Sequence, residues 1–145
     1  MLISNNPGGK VALSADGDTV LWRTSANGVQ VSKNKATFAA VSSLPSGAVI
    51  ASDKKDNTKF YGASGSSFYR STNNGATFTV VGSLGSSTSP FDIAANPKTA
   101  GDVWVSADKG IFHSTDSGTT FTAISGVTQA WAIALGAPAK VCSEE

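Results

Sequence analysis

Short runs in which apolar and polar residues alternate fill most of the chain, and clusters of Gly, Ser, Asn, Asp and Pro separate them. A period of two marks half-buried strands, and such clusters mark the turns between them. The segment from Phe91 to Ile124 is the clearest case. It parses into strands at 91–95, 103–107, 111–114 and 121–124, with turns over 97–101 and 108–110. Two earlier stretches parse in the same way, at 11–14, 19–23, 29–32 and 37–41, and at 48–52, 59–63, 67–70 and 77–81. No run shows sustained helical spacing.

The chain also matches itself. Ser71-Thr72-Asn73-Asn74-Gly75-Ala76-Thr77-Phe78 and Ser114-Thr115-Asp116-Ser117-Gly118-Thr119-Thr120-Phe121 share the pattern Ser-x-Asp/Asn-x-Gly-x-Thr-Phe. Ser32-Lys33-Asn34-Lys35-Ala36-Thr37-Phe38 is a worn copy that has lost one residue and the glycine. The phenylalanines lie 40 and 43 residues apart, a period typical of four-stranded propeller blades. The expected fold is therefore all-β: a partial β-propeller of three four-stranded blades at about 10–44, 45–84 and 88–126, with the first strand of a fourth at 129–135. Together these make a domain over 1–138, followed by a divergent tail at 139–145 that holds Cys142.

The repeated motif has a mechanical basis. A short Asp or Asn side chain can accept hydrogen bonds from the amides of its own turn, and glycine takes a left-handed conformation without a Cβ clash. The Ser and Thr hydroxyls can satisfy the remaining backbone groups, and Phe78 or Phe121 turns inward to pack between sheets. Ser71, Asn73, Gly75, Thr77 and Phe78, with Ser114, Asp116, Gly118, Thr120 and Phe121, are thus expected to fold hairpins rather than to carry chemistry.

Composition fits this picture. Ser and Thr supply 35 of the 145 residues, Leu only 6, and both glutamates are the last two residues, so β-branched residues prevail over good helix formers. A net charge of +1 and two arginines give no electrostatic footprint for nucleic acid or an anionic membrane. No apolar run is long enough for a membrane-spanning helix, and the start has no recognisable secretion signal. One cysteine and one histidine, His113, cannot build a metal site between them, so neither a metal nor a cofactor is expected.

The motif resembles the Asp box of bacterial neuraminidase repeats. Longer blocks point to one family: Val11-Ala12-Leu13-Ser14-Ala15-Asp16-Gly17-Asp18, Val41-Ser42-Ser43-Leu44-Pro45-Ser46-Gly47-Ala48, Gly101-Asp102-Val103-Trp104 and Asp108-Lys109-Gly110-Ile111-Phe112-His113. From about Lys10 to Pro138 the chain resembles the C-terminal propeller of glycoside hydrolase family 74, the xyloglucan-active endo-β-1,4-glucanases and reducing-end-specific xyloglucan hydrolases. The resemblance implies a secreted parent acting on xyloglucan or a related β-glucan. It also implies two facing seven-bladed propellers, each giving one catalytic aspartate, with both aspartates upstream of the matching segment. A sialidase is disfavoured, because that site uses three arginines.

Inverting hydrolysis needs a general acid and a general base roughly 6.5–9.5 Å apart. Asp16, Asp18, Asp53, Asp56, Asp102 and Asp108 sit in turn segments and are read as turn caps, and Asp116 as a motif residue. Asp92, expected on an innermost strand, is read first as a structural or channel-lining residue and otherwise as the one weak catalytic candidate, without an evident partner. Trp131, also expected on an innermost strand, is the candidate for stacking on a sugar ring. Trp22 and Trp104 are read as equivalent second-strand residues packed between blades. The expected function is a fragment of a xyloglucan hydrolase without activity by itself; the alternative is a non-catalytic module binding a glycan or a protein. Three blades leave an arc whose open edges invite self-association or instability.

Overall fold

The computed structural model describes residues 9–136, and among them there are twelve strands and no helix. β1 (Gly9–Leu13), β2 (Val20–Thr24), β3 (Val29–Ser32) and β4 (Ala39–Ala40) form the first sheet. β5 (Val49–Ser52), β6 (Phe60–Ser64), β7 (Ser67–Ser71) and β8 (Thr79–Ser83) form the second. β9 (Pro90–Ala95), β10 (Val103–Ala107), β11 (Gly110–Ser114) and β12 (Thr122–Ala123) form the third. Each sheet is an antiparallel meander in chain order, and β5 packs beside both β1 and β9. The sheets stack as three blades of a propeller that does not close.

The cores lie between the blades. Leu21, Val29 and Val31 of the first sheet meet Ile50, Phe60 and Phe78 of the second. Val49, Tyr61, Ala63 and Phe68 of the second meet Ile93, Val103 and Val105 of the third. The second sheet is therefore covered on both sides, and β6 reads as a continuous apolar run, Phe60-Tyr61-Gly62-Ala63, all of it buried. Phe121 sits edge-on to Phe68, with ring centroids 4.8 Å apart. The two phenylalanines of the intact motifs thus turn inward, Phe78 into the first joint and Phe121 onto the second.

Register corrects one expectation. The serines that open the three turns, Ser32, Ser71 and Ser114, pair with Val20, Phe60 and Val103. Counting from these, Leu21, Tyr61 and Trp104 are equivalent, whereas Trp22 corresponds to Gly62 and Val105. Trp22 and Trp104 are one residue out of step, and in a strand that slip reverses the face. Trp22 points out of the first sheet, away from the second, and meets Phe38 edge-on at 5.7 Å. Trp104 points out of the far side of the third sheet and stacks on His113 at 3.8 Å. The two tryptophans lie on the two open faces of the arc, not within the joints between these three blades.

A second difference concerns residues 129–135, which pair with no strand. A first strand takes its ladder from the second strand of its own blade, and none follows among the described residues. The segment is tied down instead by the Ala130 amide, which donates to the Ala107 carbonyl at 3.0 Å. The tail at 139–145, with Cys142, lies outside the described residues.

Candidate functional site

Two ends of the sheets can be told apart by their loops. One end carries the three repeated turns and the loops after β1, β5 and β9. In the third blade the Ser114 hydroxyl donates to Asp116 Oδ1 at 2.7 Å and accepts the Gly118 amide at 2.9 Å. Asp116 also accepts the Thr120 amide at 2.9 Å and its hydroxyl at 2.6 Å. These donors, the Thr120 hydroxyl foremost, pull the Asp116 carboxyl down to about 2. The second blade repeats the arrangement with an amide: Asn73 Oδ1 accepts Ser71 Oγ and the Thr77 amide, and Asn73 Nδ2 donates to Thr77 Oγ1 at 2.7 Å. The worn copy keeps the same acceptor, Asn34 Oδ1, for Ser32 Oγ and the Ala36 and Thr37 amides.

The glycines of the two intact turns stand at the blade joints. Gly118 has φ 85°, and a Cβ there would lie 2.1 Å from the Phe68 ring of the preceding blade. Gly75 has φ 76° and faces Val31 and Leu21 of the first blade at 3.3 and 3.4 Å. Each turn thus closes its own hairpin and seats its blade on the one before. The worn turn, one residue shorter, needs only one left-handed residue, Lys35 at φ 59°.

Asp53, read from sequence as a turn cap, does more. It is buried, and its Oδ2 accepts the Tyr61 hydroxyl at 2.6 Å and the Gly101 amide of the third blade at 2.8 Å. Its Oδ1 accepts the amides of Lys55 and Asp56. Burial pushes this carboxyl up, but the hydrogen bonds, led by Tyr61, outweigh it and hold the group below the usual carboxylate range. Burial, and then the adjacent Asp53 carboxylate, push the Tyr61 phenol up. Asp53 therefore clamps the second blade to the third. Nearby, Asp102 contacts His113 Nε2 at 2.7 Å through Oδ1 and accepts Asn96 Nδ2 at 2.7 Å through Oδ2.

The opposite end holds both candidates singled out for chemistry. Asp92 on β9 forms an ion pair with Lys10 on β1, and its Oδ1 also accepts the Ile93 amide at 2.9 Å. Lys10 lines a groove of about 700 Å³ that runs along β1, β5 and β9, with Leu135 beside it. Phe91, next to Asp92, carries Trp131 stacked on its ring, with centroids 4.5 Å apart and planes 22° from parallel. Trp131 is 69% exposed, so its outer face is open. Phe91 and Asp92 are consecutive on β9, so Trp131, stacked on Phe91, stands at the same end of that strand as the Asp92–Lys10 pair. Asp108, in the β10–β11 turn, is absorbed locally: Ser87, Thr88 and Ser89 donate to it, Ser87 foremost, and its carboxyl falls to about 2. Among the described residues no three metal-ligating side chains come together.

No family model matches the chain. A xyloglucanase of Hypocrea jecorina is 58% identical over 130 residues, which are 89% of this chain and 16% of that protein. The crystal structure of a family 74 enzyme from Niastella koreensis superposes with a TM-score of 0.72 at 27% identity, covering 87% of this chain and 20% of that one. The chain belongs to glycoside hydrolase family 74. A second xyloglucanase, from Acetivibrio thermocellus, is 36% identical over 104 residues, 71% of this chain and 12% of that protein. The chain therefore spans about one sixth or less of the length of these xyloglucanase relatives.

Sequence reasoning singled out Asp92 and Trp131 but not the groups beside them. Phe91 stands next to Asp92 in the chain, so an aromatic adjoining an innermost-strand carboxylate was a usable signal. Lys10 is 82 residues from Asp92, and nothing local announces that pair.

Proposed function

We propose that this chain supplies part of the glycan-binding surface of a xyloglucan-active family 74 glycoside hydrolase, and that it does not hydrolyse the polysaccharide by itself. The observation that carries this reading is the open Trp131 ring, backed by Phe91, beside Asp92 and the groove between the innermost strands. A flat, exposed and supported ring suits the apolar face of a pyranose, and the neighbouring carboxylate and ammonium offer hydrogen bonds to its hydroxyls. The xyloglucanase relatives supply the substrate class, a β-1,4-glucan backbone bearing side sugars. Such a substrate supports a parent that works outside the cell, on plant cell walls.

Asp92 acts here as a binding group. Hydrolysis with inversion needs a second carboxylate on the far side of the sugar. The partner held against Asp92 is the Lys10 ammonium, not a second carboxylate. Isothermal titration with xyloglucan oligosaccharides should give saturable heat from the 145-residue chain, and reducing-sugar assays on xyloglucan should stay at background. Turnover that disappears in Asp92→Asn would make Asp92 catalytic and overturn the second half of the reading. Absence of heat with every oligosaccharide would favour a module that binds protein.

A further inference from the structure

We infer that Asn27 is a site of spontaneous deamidation, at which the side-chain amide is exchanged for a carboxylate through a cyclic imide formed with the Gly28 nitrogen. The inference is independent of the glycan reading. It starts from a comparison within the chain, which contains two Asn-Gly pairs, Asn27-Gly28 and Asn74-Gly75. In such a pair the second residue has no Cβ to crowd the approach of its nitrogen to the asparagine Cγ. Whether the pair reacts then depends on what holds the two groups. Asn74 is locked into the repeated turn: the Gly75 amide donates to Ser71 Oγ at 3.0 Å, the Asn74 amide to the Thr58 carbonyl at 2.9 Å, and Asn74 Nδ2 to the Asn57 carbonyl at 3.3 Å. Asp16-Gly17, the one Asp-Gly pair, is held in the same way, with the Gly17 amide on the Ser14 carbonyl at 2.9 Å.

The Asn27 turn is built differently. Its fixed points lie on Thr24, whose amide and hydroxyl both donate to the Gly28 carbonyl, at 2.8 and 3.2 Å, and whose hydroxyl accepts the Asn27 amide at 2.7 Å. None of these bonds engages the two groups that react. Among the described residues the Asn27 side chain has no hydrogen-bond partner and the Gly28 amide no acceptor. Asn27 is exposed at the tip of the β2–β3 hairpin, and Gly28 follows it with φ 68°. The Gly28 nitrogen passes its proton to water or hydroxide and bonds to Asn27 Cγ. The Cγ–Nδ2 bond breaks, and Nδ2 leaves as ammonia with a proton from water. Water then opens the imide at either carbonyl, giving aspartate or an isoaspartyl link in which the main chain runs through the side-chain carbons. The sum is amide plus water to carboxylate plus ammonium, with no change in oxidation state. The isoaspartyl form also lengthens the turn between Thr24 and Gly28, which pulls on the bonds that close the hairpin.

Peptide mapping by mass spectrometry with isoaspartate detection tests this on the 145-residue chain, incubated folded in mildly alkaline buffer and, in parallel, unfolded in urea. Trypsin separates the two sites, releasing 24–33 and 71–98. In the folded chain the aspartyl and isoaspartyl forms should accumulate at Asn27 about tenfold or more faster than at Asn74, because hydrogen bonds must open before Asn74 can react. In urea the two rates should converge. Equal rates in the folded chain, faster reaction at Asn74, or an Asn27 that stays an amide throughout overturn the proposal. So does a difference that persists unchanged in urea, which would trace it to the flanking sequence and not to the turns.

Discussion

Where β1, β5 and β9 finish, aspartates are enclosed by donors: Asp116 by Ser114 and Thr120, and Asp53 by Tyr61, Gly101, Lys55 and Asp56. Where those strands begin, both contacts of Asp92 among the described residues fall on Oδ1, and the neighbouring Trp131 offers a bare ring face to solvent. The same residue type does two jobs. Donors from its own turn make a carboxylate a fastener. A carboxylate held by a distant lysine, beside an open aromatic, keeps capacity for something outside the chain.

The sharpest break in this comparison is at the first end. Gly118→Ala should destabilise the chain by about 3 kcal/mol or more, through overpacking against Phe68 together with a left-handed backbone. Urea denaturation would measure it. Next in size is Asp53→Ala, which leaves the Tyr61 hydroxyl and the Gly101 amide buried without their acceptor. On the order of 2–4 kcal/mol should be lost in the same assay. A smaller loss, about 1–2 kcal/mol, is expected for Asp116→Ala, and less for Asp116→Asn, since Asn73 does the same work in the second blade.

Acid probes the same fasteners together. The Asp116 and Asp53 carboxyls titrate below the ordinary 3.8 in the folded chain, Asp116 at about 2, so their stabilisation is complete above about pH 4 and is lost as pH falls through the lowered range. A melting temperature that is flat from pH 7 to 4 and falls below 4 is the expected profile. Asp116→Asn should flatten part of that fall. Trp131→Ala should change stability least of all.

Much of the scaffold was legible because it is local. Serine, Asp or Asn, glycine and threonine at fixed spacing bond within one turn, so a single repeat suffices to read it. The strand ends moved by a residue or two, and β4 and β12 shrank to two residues each, whereas β8, at the same edge of its own sheet, keeps five. What could not be read was whatever depends on how blades meet. Asp53 looks like any turn aspartate until the third blade places Gly101 against it, and Trp22 and Trp104 look equivalent until pairing shows a one-residue slip. Residues 129–135 have the pattern of a strand, but a pattern forms no ladder without a partner.

One paired measurement addresses the division between the two ends: oligosaccharide binding and thermal melting, recorded together for Trp131→Ala and Asp116→Ala. Trp131→Ala should weaken binding of xyloglucan oligosaccharides about tenfold or more at an unchanged melting temperature. Asp116→Ala should lower the melting temperature and leave binding intact in the folded fraction. Full binding by Trp131→Ala, or binding lost by a fully folded Asp116→Ala, would contradict the account.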